Sequence, residues 1–319
     1  MLAAAWRRSV IVTVTANSAL DRLLFVPRFV LGRRILAERA ITTMGGKGTN
    51  VSVLLRTLGA ETKALGFAAG LAGAEMLRLL AQAHVPFDFV QAEGETRVNT
   101  VIVDQMSQSQ STIIAETMHI TDEQEDVLQR KVREALATAK VLCVSGSLPR
   151  GASPNCYSLM IESARDLGVT TILDTSGPAL RDSLSAKPTY IKPNWPELEE
   201  LVGRTLGSLD HVVDAVRSVL EMGPEWVVAS LGDQGIVAAH GDEVYRIPPL
   251  QIPVVSTSGG GDGVVAGIAL GRDRGIPDEA GLRLGAAVAS SVVMSPGTAQ
   301  CNPEDVAELF RQVKVERLE

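Results

Sequence analysis

The sequence predicts an α/β fold: a mostly parallel sheet covered by helices on both faces, with a small second β-sheet. Two observations predict it. Short runs of Val, Ile and Leu alternate with longer stretches of helical spacing along most of the chain. Repeated strand–helix–strand units of this kind require a parallel sheet with both faces covered. Two stretches, Leu23–Thr43 and Arg97–Thr117, break the rhythm with β-branched, alternating residues and no helix between them.

In chain order, Ser9–Val14 reads as a buried strand. Val51–Leu58 reads as a helix, with Val51, Leu54, Leu55 and Leu58 on one face. Lys63–Phe67 is a strand and Ala74–His84 a helix. Val98–Val103 and Ser111–Ala115 flank a polar turn, the pattern of a hairpin. Lys140–Ser145 is a strand, Pro154–Leu167 a helix and Thr170–Asp174 a strand. Thr189–Lys192 is a short strand, Glu197–Leu201 a helix start and His211–Met222 a helix. Trp226–Ser230 and Gly235–His240 are strands, and Ala280–Met294 is a helix. No internal repeat or low-complexity linker divides the chain. The expectation is one domain over residues 1–319, with residues 22–44 and 97–117 inserted into it.

Composition narrows the function classes. The net charge is −7 and aromatic residues make up 4% of the chain. Nucleic-acid binding needs a basic face and stacking aromatics, so it is not expected. No apolar run reaches the ~18 residues of a membrane span. Arg7 and Arg8 before a short apolar run resemble a signal peptide, but Ser9–Val14 is β-branched and short, and Asn17 and Asp21 follow. Cys143, Cys156 and Cys301 form no C-x-x-C pair, and the four histidines show no ligand spacing, so no structural zinc site is expected. The cytoplasm is the expected compartment.

Chemistry concentrates in two glycine-rich segments. Residues 256–269 read STSGGGDGVVAGIA. Three glycines, Gly259, Gly260 and Gly261, lead through Asp262 into an apolar helix of small residues. A helix start carries unpaired N–H groups and partial positive charge, so it attracts an anion, and glycines let that anion approach. A carboxylate there would repel a phosphate that merely binds. It makes sense where a phosphoryl group is transferred: the N–H groups hold the group, and Asp262 accepts the proton of the attacking hydroxyl. The local alternative is that Asp262 is the N-cap. Gly261–Ala266 also fits the dinucleotide fingerprint G-x-G-x-x-A, but the next element reads as a helix and completes no strand–helix–strand unit.

Residues 45–50 read GGKGTN and precede the helix at Val51. Lys47 in a glycine loop is a flexible point charge suited to phosphate. Its local alternative is a solvated loop lysine. Asn50 offers donors and an acceptor to sugar hydroxyls, or it is the N-cap of that helix. The segment is not a Walker A loop, since Gly48 follows Gly46 and Lys47 where Ser or Thr would be needed.

Together these segments resemble the N- and C-terminal signatures of the ribokinase-like (PfkB) carbohydrate kinases. Other segments resemble that family in order: TANSALD at 15–21, TRVN at 96–99, SGSLP at 145–149, KPNWPE at 192–197 and SLG at 230–232. The likeness is greatest to the branch holding 1-phosphofructokinase, tagatose-6-phosphate kinase and the minor 6-phosphofructokinase. The chain departs from the pattern at Ser18, where Pro is usual, at Ala69, where Gly is expected, and at Gly260 and Gly263. A second lid arginine has no counterpart in residues 104–112.

The resemblance implies a ribokinase-like three-layer α/β/α sandwich with a β-sheet lid over the substrate. It implies ATP-dependent phosphorylation of a ketohexose phosphate, with ATP and Mg²⁺ bound. In that reading Asp262 is the base and Gly259–Gly261 form the anion hole. Asp21, Asn50 and the Gly45–Gly46 backbone hold sugar hydroxyls. Lys47 and Arg97 bind the phosphate already on the substrate, and Ser147 touches it. Lys192, Asn194, Ser230 and Gly232 line the ATP side, and Asn194 and Glu197 position Mg²⁺ through water. Locally, Asn194 reads as a helix cap, Glu197 as a first-turn glutamate and Asp21 as a turn residue. The resemblance implies that the lid is commonly also a dimer contact. Its two hairpin-like segments have unpaired edges and an apolar face too small to be stable alone, with Phe25, Val26, Phe29, Val30, Ile35, Ile102 and Ile113 as candidates for that face. A homodimer joined through Leu23–Thr43 and Arg97–Thr117 is therefore expected, with Arg33 or Arg34 reaching the partner's substrate phosphate. A kinase of unphosphorylated sugars or nucleosides, and a non-catalytic sugar-binding member, are the competing readings. Paired cations Lys47 and Arg97 favour a phosphorylated substrate, and an intact Asp262 favours catalysis.

Overall fold

The computed structural model describes residues 9–318; Arg7 and Arg8 lie outside them. The chain opens with β1 (Val10–Thr15) and leaves the main body for β2 (Ala19–Val26) and β3 (Arg39–Gly45). It returns through α1 (Lys47–Thr57), β4 (Thr62–Ala68), α2 (Gly70–Gln82) and β5 (Phe87–Gln91). A two-residue β6 (Glu93–Gly94) leads to the hairpin of β7 (Arg97–Asp104) and β8 (Ser109–Ile113), followed by β9 (Met118–His119). The alternating half follows: α3 (Asp122–Leu136), β10 (Ala139–Ser145), α4 (Cys156–Asp166), β11 (Thr170–Asp174), α5 (Gly177–Ser183), β12 (Tyr190–Ile191), α6 (Trp195–Val202) and α7 (Leu209–Leu220). The chain ends with β13 (Trp226–Ser230), β14 (Ile236–His240), β15 (Glu243–Ile247), α8 (Gly260–Arg274), α9 (Asp278–Val293), α10 (Pro303–Gln312) and β16 (Glu316–Leu318).

Ten strands form one sheet in the order β16-β15-β14-β13-β12-β11-β10-β1-β4-β5. Pairings from β5 to β13 are parallel, and β14, β15 and β16 close one edge antiparallel. Successive side chains point to opposite faces. Thus Val12, Val14, Leu142, Val144 and Leu173 pack with α3, α4, α6 and α7. Ile11, Val141, Cys143 and Ile172 pack with α1, α8, α9 and α10. The three-layer sandwich follows from this alternation, as expected.

From β1 the chain proceeds to β4 and β5 on one side, then to β10 and its successors on the other. The order therefore reverses between β1 and β10, and a crevice opens beyond their C-terminal ends. A second sheet, in the order β3-β2-β7-β8, is entered from the end of β1 and left at Gly45 for the start of α1. It takes in residues expected of the lid but begins earlier, at Ala19. Asp21 is therefore the third residue of a lid strand, not the end of β1 or a turn residue. In the lid, Asp21 lies opposite Thr43 on one side and Asn99 on the other, while Ala19 lies opposite Gly45 and Arg97. Asp21, Gly45, Arg97 and Asn99 thus share one face.

Candidate active site

Asp262 lies in the first turn of α8, buried at 6% exposure. It is not the N-cap. Gly259 holds that position in the left-handed conformation (φ 84°), and a side chain there would meet the Thr298 carbonyl at 2.0 Å. The N–H groups of Gly259, Gly260 and Gly261 belong to the start of the helix, where no intrahelical acceptor is available. Asn50 is likewise not an N-cap. It is the fourth residue of α1, whose cap is Gly46 at φ 91°. From inside the helix its Nδ2 donates to Asp262 Oδ2 at 2.8 Å. Its Oδ1 is buried and has no partner. A lone buried acceptor of this kind is suited to a ligand hydroxyl.

The centre of the site is a residue to which the sequence reading assigns no role. Asp174 ends β11, with its side chain 1% exposed. Its Oδ1 takes Lys47 Nζ at 2.8 Å and Lys192 Nζ at 3.3 Å. Lys47 also stands 3.7 Å from Glu197 Oε1. Lys192 is buried, and a methyl group on Gly261 would lie 3.2 Å from its ammonium. The two lysines therefore flank the glycine helix start. Lys47 shares no partner with Arg97. It turns to Asp174 and Glu197, whereas Arg97 turns to the Asn17 carbonyl.

Charge in this cluster sets the protonation of each group. Burial pushes the Asp262 carboxyl up to about 7; the neighbouring Asp174 charge adds to this, and Asn50, Lys47 and Lys192 oppose it. Burial also works against the Asp174 carboxylate, but Lys192 and Lys47 overcome it and hold its pKa below the ordinary range. Burial disfavours the Lys47 ammonium; Asp174 and Glu197 outweigh that and raise its pKa, so it stays charged.

On the lid, Asn99 Nδ2 donates to Asp21 Oδ1 at 2.8 Å. Burial raises the Asp21 pKa, with Asn99 and Arg97 opposing. Gly45 leaves room for that carboxylate: a side chain there would meet Asp21 Oδ1 at 2.5 Å and displace it. Arg97 donates from Nη2 to the Asn17 carbonyl at 3.4 Å, and its buried Nε has no partner. Ser147, in the loop after β10, accepts from Asn17 Nδ2 at 3.2 Å.

On the other side, Asn194 caps α6. Its Oδ1 accepts from Glu197 N at 2.9 Å, and Glu197 Oε2 accepts from Asn194 N at 2.8 Å. The local reading of both residues is thus correct, and it leaves Glu197 Oε1 facing the crevice beside Lys47. Ser230 ends β13 and bridges to Asn194, and Gly232 follows at φ 61°. Among the described residues no three His, Cys, Asp or Glu side chains are grouped to hold a metal ion. No described helix is long and apolar enough to cross a membrane.

Asp174 could have been found as a carboxylate ending an otherwise apolar strand at the C-terminal edge of a parallel sheet. Asn99 sits inside the TRVN segment. Thr298, whose hydroxyl donates to the Met44 carbonyl at 3.0 Å, comes from a distant loop with no local signal.

The pfkB family carbohydrate kinase model matches residues 12–305. A tagatose-6-phosphate kinase of Staphylococcus epidermidis is 30% identical over 308 residues, covering 96% of this chain and 99% of that protein. Among solved structures, Escherichia coli phosphofructokinase-2 in complex with potassium superposes with TM-score 0.88 at 28% identity, covering 95% of this chain and 99% of that one. A possible 1-phosphofructokinase of Thermotoga maritima gives TM-score 0.89 at 25% identity, covering 97% of this chain and 100% of that one.

Proposed function

The chain belongs to the pfkB family of carbohydrate kinases, and from that premise we propose that it transfers the γ-phosphoryl group of ATP to a hydroxymethyl group of a ketohexose phosphate, giving a bisphosphate. The observation that carries this reading is the buried Asp262 at the glycine-rich start of α8, held by Asn50 and flanked by Lys47 and Lys192. The tagatose-6-phosphate kinase and phosphofructokinase relatives support a phosphorylated ketohexose as substrate.

Asp262 takes the proton from the attacking hydroxyl. The hydroxyl oxygen bonds to the γ-phosphorus, and the bond from phosphorus to ADP breaks. Amide N–H groups of Gly259, Gly260 and Gly261 hold the transferring group, and fixed donors of this kind act where charge develops. Lys47 and Lys192 neutralise the same oxygens. Asp21, the Asn50 Oδ1 acceptor and the Gly45–Gly46 backbone orient the sugar. Arg97 and Ser147 hold the phosphate that the sugar already carries. Ser230 and Gly232 line the nucleotide side.

The donor set fits a Mg²⁺ ion carried in by the nucleotide. Glu197 Oε1 is the oxygen left free by the capping box, and Asn194 orients it. These residues would hold waters of the ion, consistent with the reluctance of Mg²⁺ to shed its shell. When bound, the ion neutralises charge on the phosphates.

The lid supports pairing with a second copy. Leu31 and Leu36 are 86% and 87% exposed, and Met106, Ile113 and Ile114 are also exposed. Of the seven apolar residues expected on that face, Val26 is buried in its own subunit at 5% exposure.

Arg97→Ala tests the substrate class. A charged hydrogen bond contributes ~1.5–3 kcal/mol. The KM for the sugar phosphate should therefore rise about 10- to 100-fold, while the KM for ATP stays within about twofold. Equal changes in both constants would contradict the assignment.

A further inference from the structure

Asn17 lies between β1 and β2, at the point where the strand order reverses, and is 2% exposed. A buried carboxamide is costly unless its groups are bonded. Its Nδ2 donates to Ser147 Oγ at 3.2 Å and to the Leu148 carbonyl at 3.4 Å. Its main-chain carbonyl, which any residue at this position would offer, accepts from Arg97 Nη2 at 3.4 Å. One residue thus ties together the lid arginine and the strand-end serine, the two groups placed above at the substrate's phosphate.

The direction of the bond to Ser147 matters most. A hydroxyl has one hydrogen. Because Ser147 Oγ accepts from Asn17, its own hydrogen is left to be donated to another acceptor, such as a phosphate oxygen. The loop cannot easily turn away, because the fully buried Tyr157 donates its hydroxyl to the Gly146 carbonyl at 2.9 Å from behind. Arg97 is anchored at Nη2, and its Nε is buried without a partner.

We infer that the Asn17 side chain is a positioning group that sets the preference for a phosphorylated over a free sugar, by donating to Ser147 Oγ so that the serine's own hydrogen is left for the phosphate beside Arg97. This rests on the ketohexose-phosphate reading. Two variants test it. Asn17→Ala removes the donor. Asn17→Asp keeps the shape but turns the donor into an acceptor, which draws the Ser147 hydrogen inward and adds a negative charge beside the substrate's phosphate.

The measurement is kcat/KM for the ketohexose phosphate, for the free ketohexose and for ATP, in wild type and both variants. Losing one such interaction should raise the sugar-phosphate KM by about tenfold in Asn17→Ala, with ATP KM within about twofold. Asn17→Asp should be worse than Asn17→Ala, and the ratio of phosphorylated to free substrate should fall in both. A purely structural role lowers kcat/KM for the phosphorylated and the free sugar alike, so a ratio unchanged from wild type in both variants would overturn the inference. If Asn17→Ala does not fold, Asn17→Asp against wild type decides. A wild type with no preference for the phosphorylated sugar overturns the ketohexose-phosphate reading and this inference with it. A wild-type preference that survives Asn17→Asp overturns this inference alone.

Discussion

At the scale of single residues, Asp262 is the base of the proposed reaction, and its environment predicts its pH behaviour. Burial and the charge of Asp174 push its pKa up to about 7. As a base it must be ionised, so kcat/KM should fall as pH drops through about 7 on the acid side. The stability effect has the opposite sign. A carboxyl raised in the folded state contributes stability that is fully present below the ordinary carboxylate pKa and lost as pH rises through about 7. Asp262→Asn keeps the neutral form, so at alkaline pH it should be at least as stable as wild type. Its turnover should fall by roughly 10²–10⁴-fold, the usual contribution of a general base. Turnover within a few-fold of wild type, or a profile flat through pH 7, would remove Asp262 from that role.

At the scale of elements, the two glycine-rich helix starts were legible because the physics that makes them useful is local. Glycine runs, unpaired N–H groups and an adjacent Asp or Lys are all visible in a short window. The direction of a side chain was not. Lys47 turns to Asp174 and Glu197 because β11 and α6 bring two carboxylates to the end of α1, a tertiary fact outside the GGKG segment. Asn50 and Asp262 were each read as possible caps, yet glycines with positive φ hold both cap positions. The departures from the family pattern also have physical reasons. Gly263 packs where a methyl group would come within 2.7 Å of Ala289 in α9, and Gly267 where one would come within 2.5 Å of Gly285. These small residues of α8 serve close helix packing. Gly70, next to Ala69, holds a left-handed turn (φ 61°), so the glycine requirement is met one position later. Ser18, where Pro is usual, donates to the Phe67 carbonyl at 2.6 Å. The sequence reading assigned no element to α3, although Thr121 and Gln124 form a full capping box. Its charged, sparsely apolar surface gave too weak an apolar stripe to be read as a helix.

At the scale of the whole molecule, the strand–helix alternation fixed the three-layer architecture, since a two-faced parallel sheet has few other solutions. The antiparallel edge strands β15 and β16 are short and carry no such signal. The lid leaves Leu31, Leu36, Met106 and Ile113 in solvent, and its sheet has open edges. A two-fold contact between lids would cover both features. Light scattering at micromolar concentration should give twice the chain's mass of 33.8 kDa. A monomer with full activity would contradict lid pairing.

The central claim, that this carbohydrate kinase acts on a ketohexose phosphate, is tested most directly by ADP release across a substrate panel. Fructose 1-phosphate, fructose 6-phosphate, tagatose 6-phosphate, the free ketohexoses and a nucleoside would be offered with MgATP, and kcat/KM compared. The account predicts that at least one ketohexose phosphate is turned over with a stoichiometric bisphosphate product. It should exceed its unphosphorylated counterpart by at least about tenfold, the equivalent of one charged hydrogen bond at Arg97. A free sugar or nucleoside phosphorylated better than every ketohexose phosphate would contradict it.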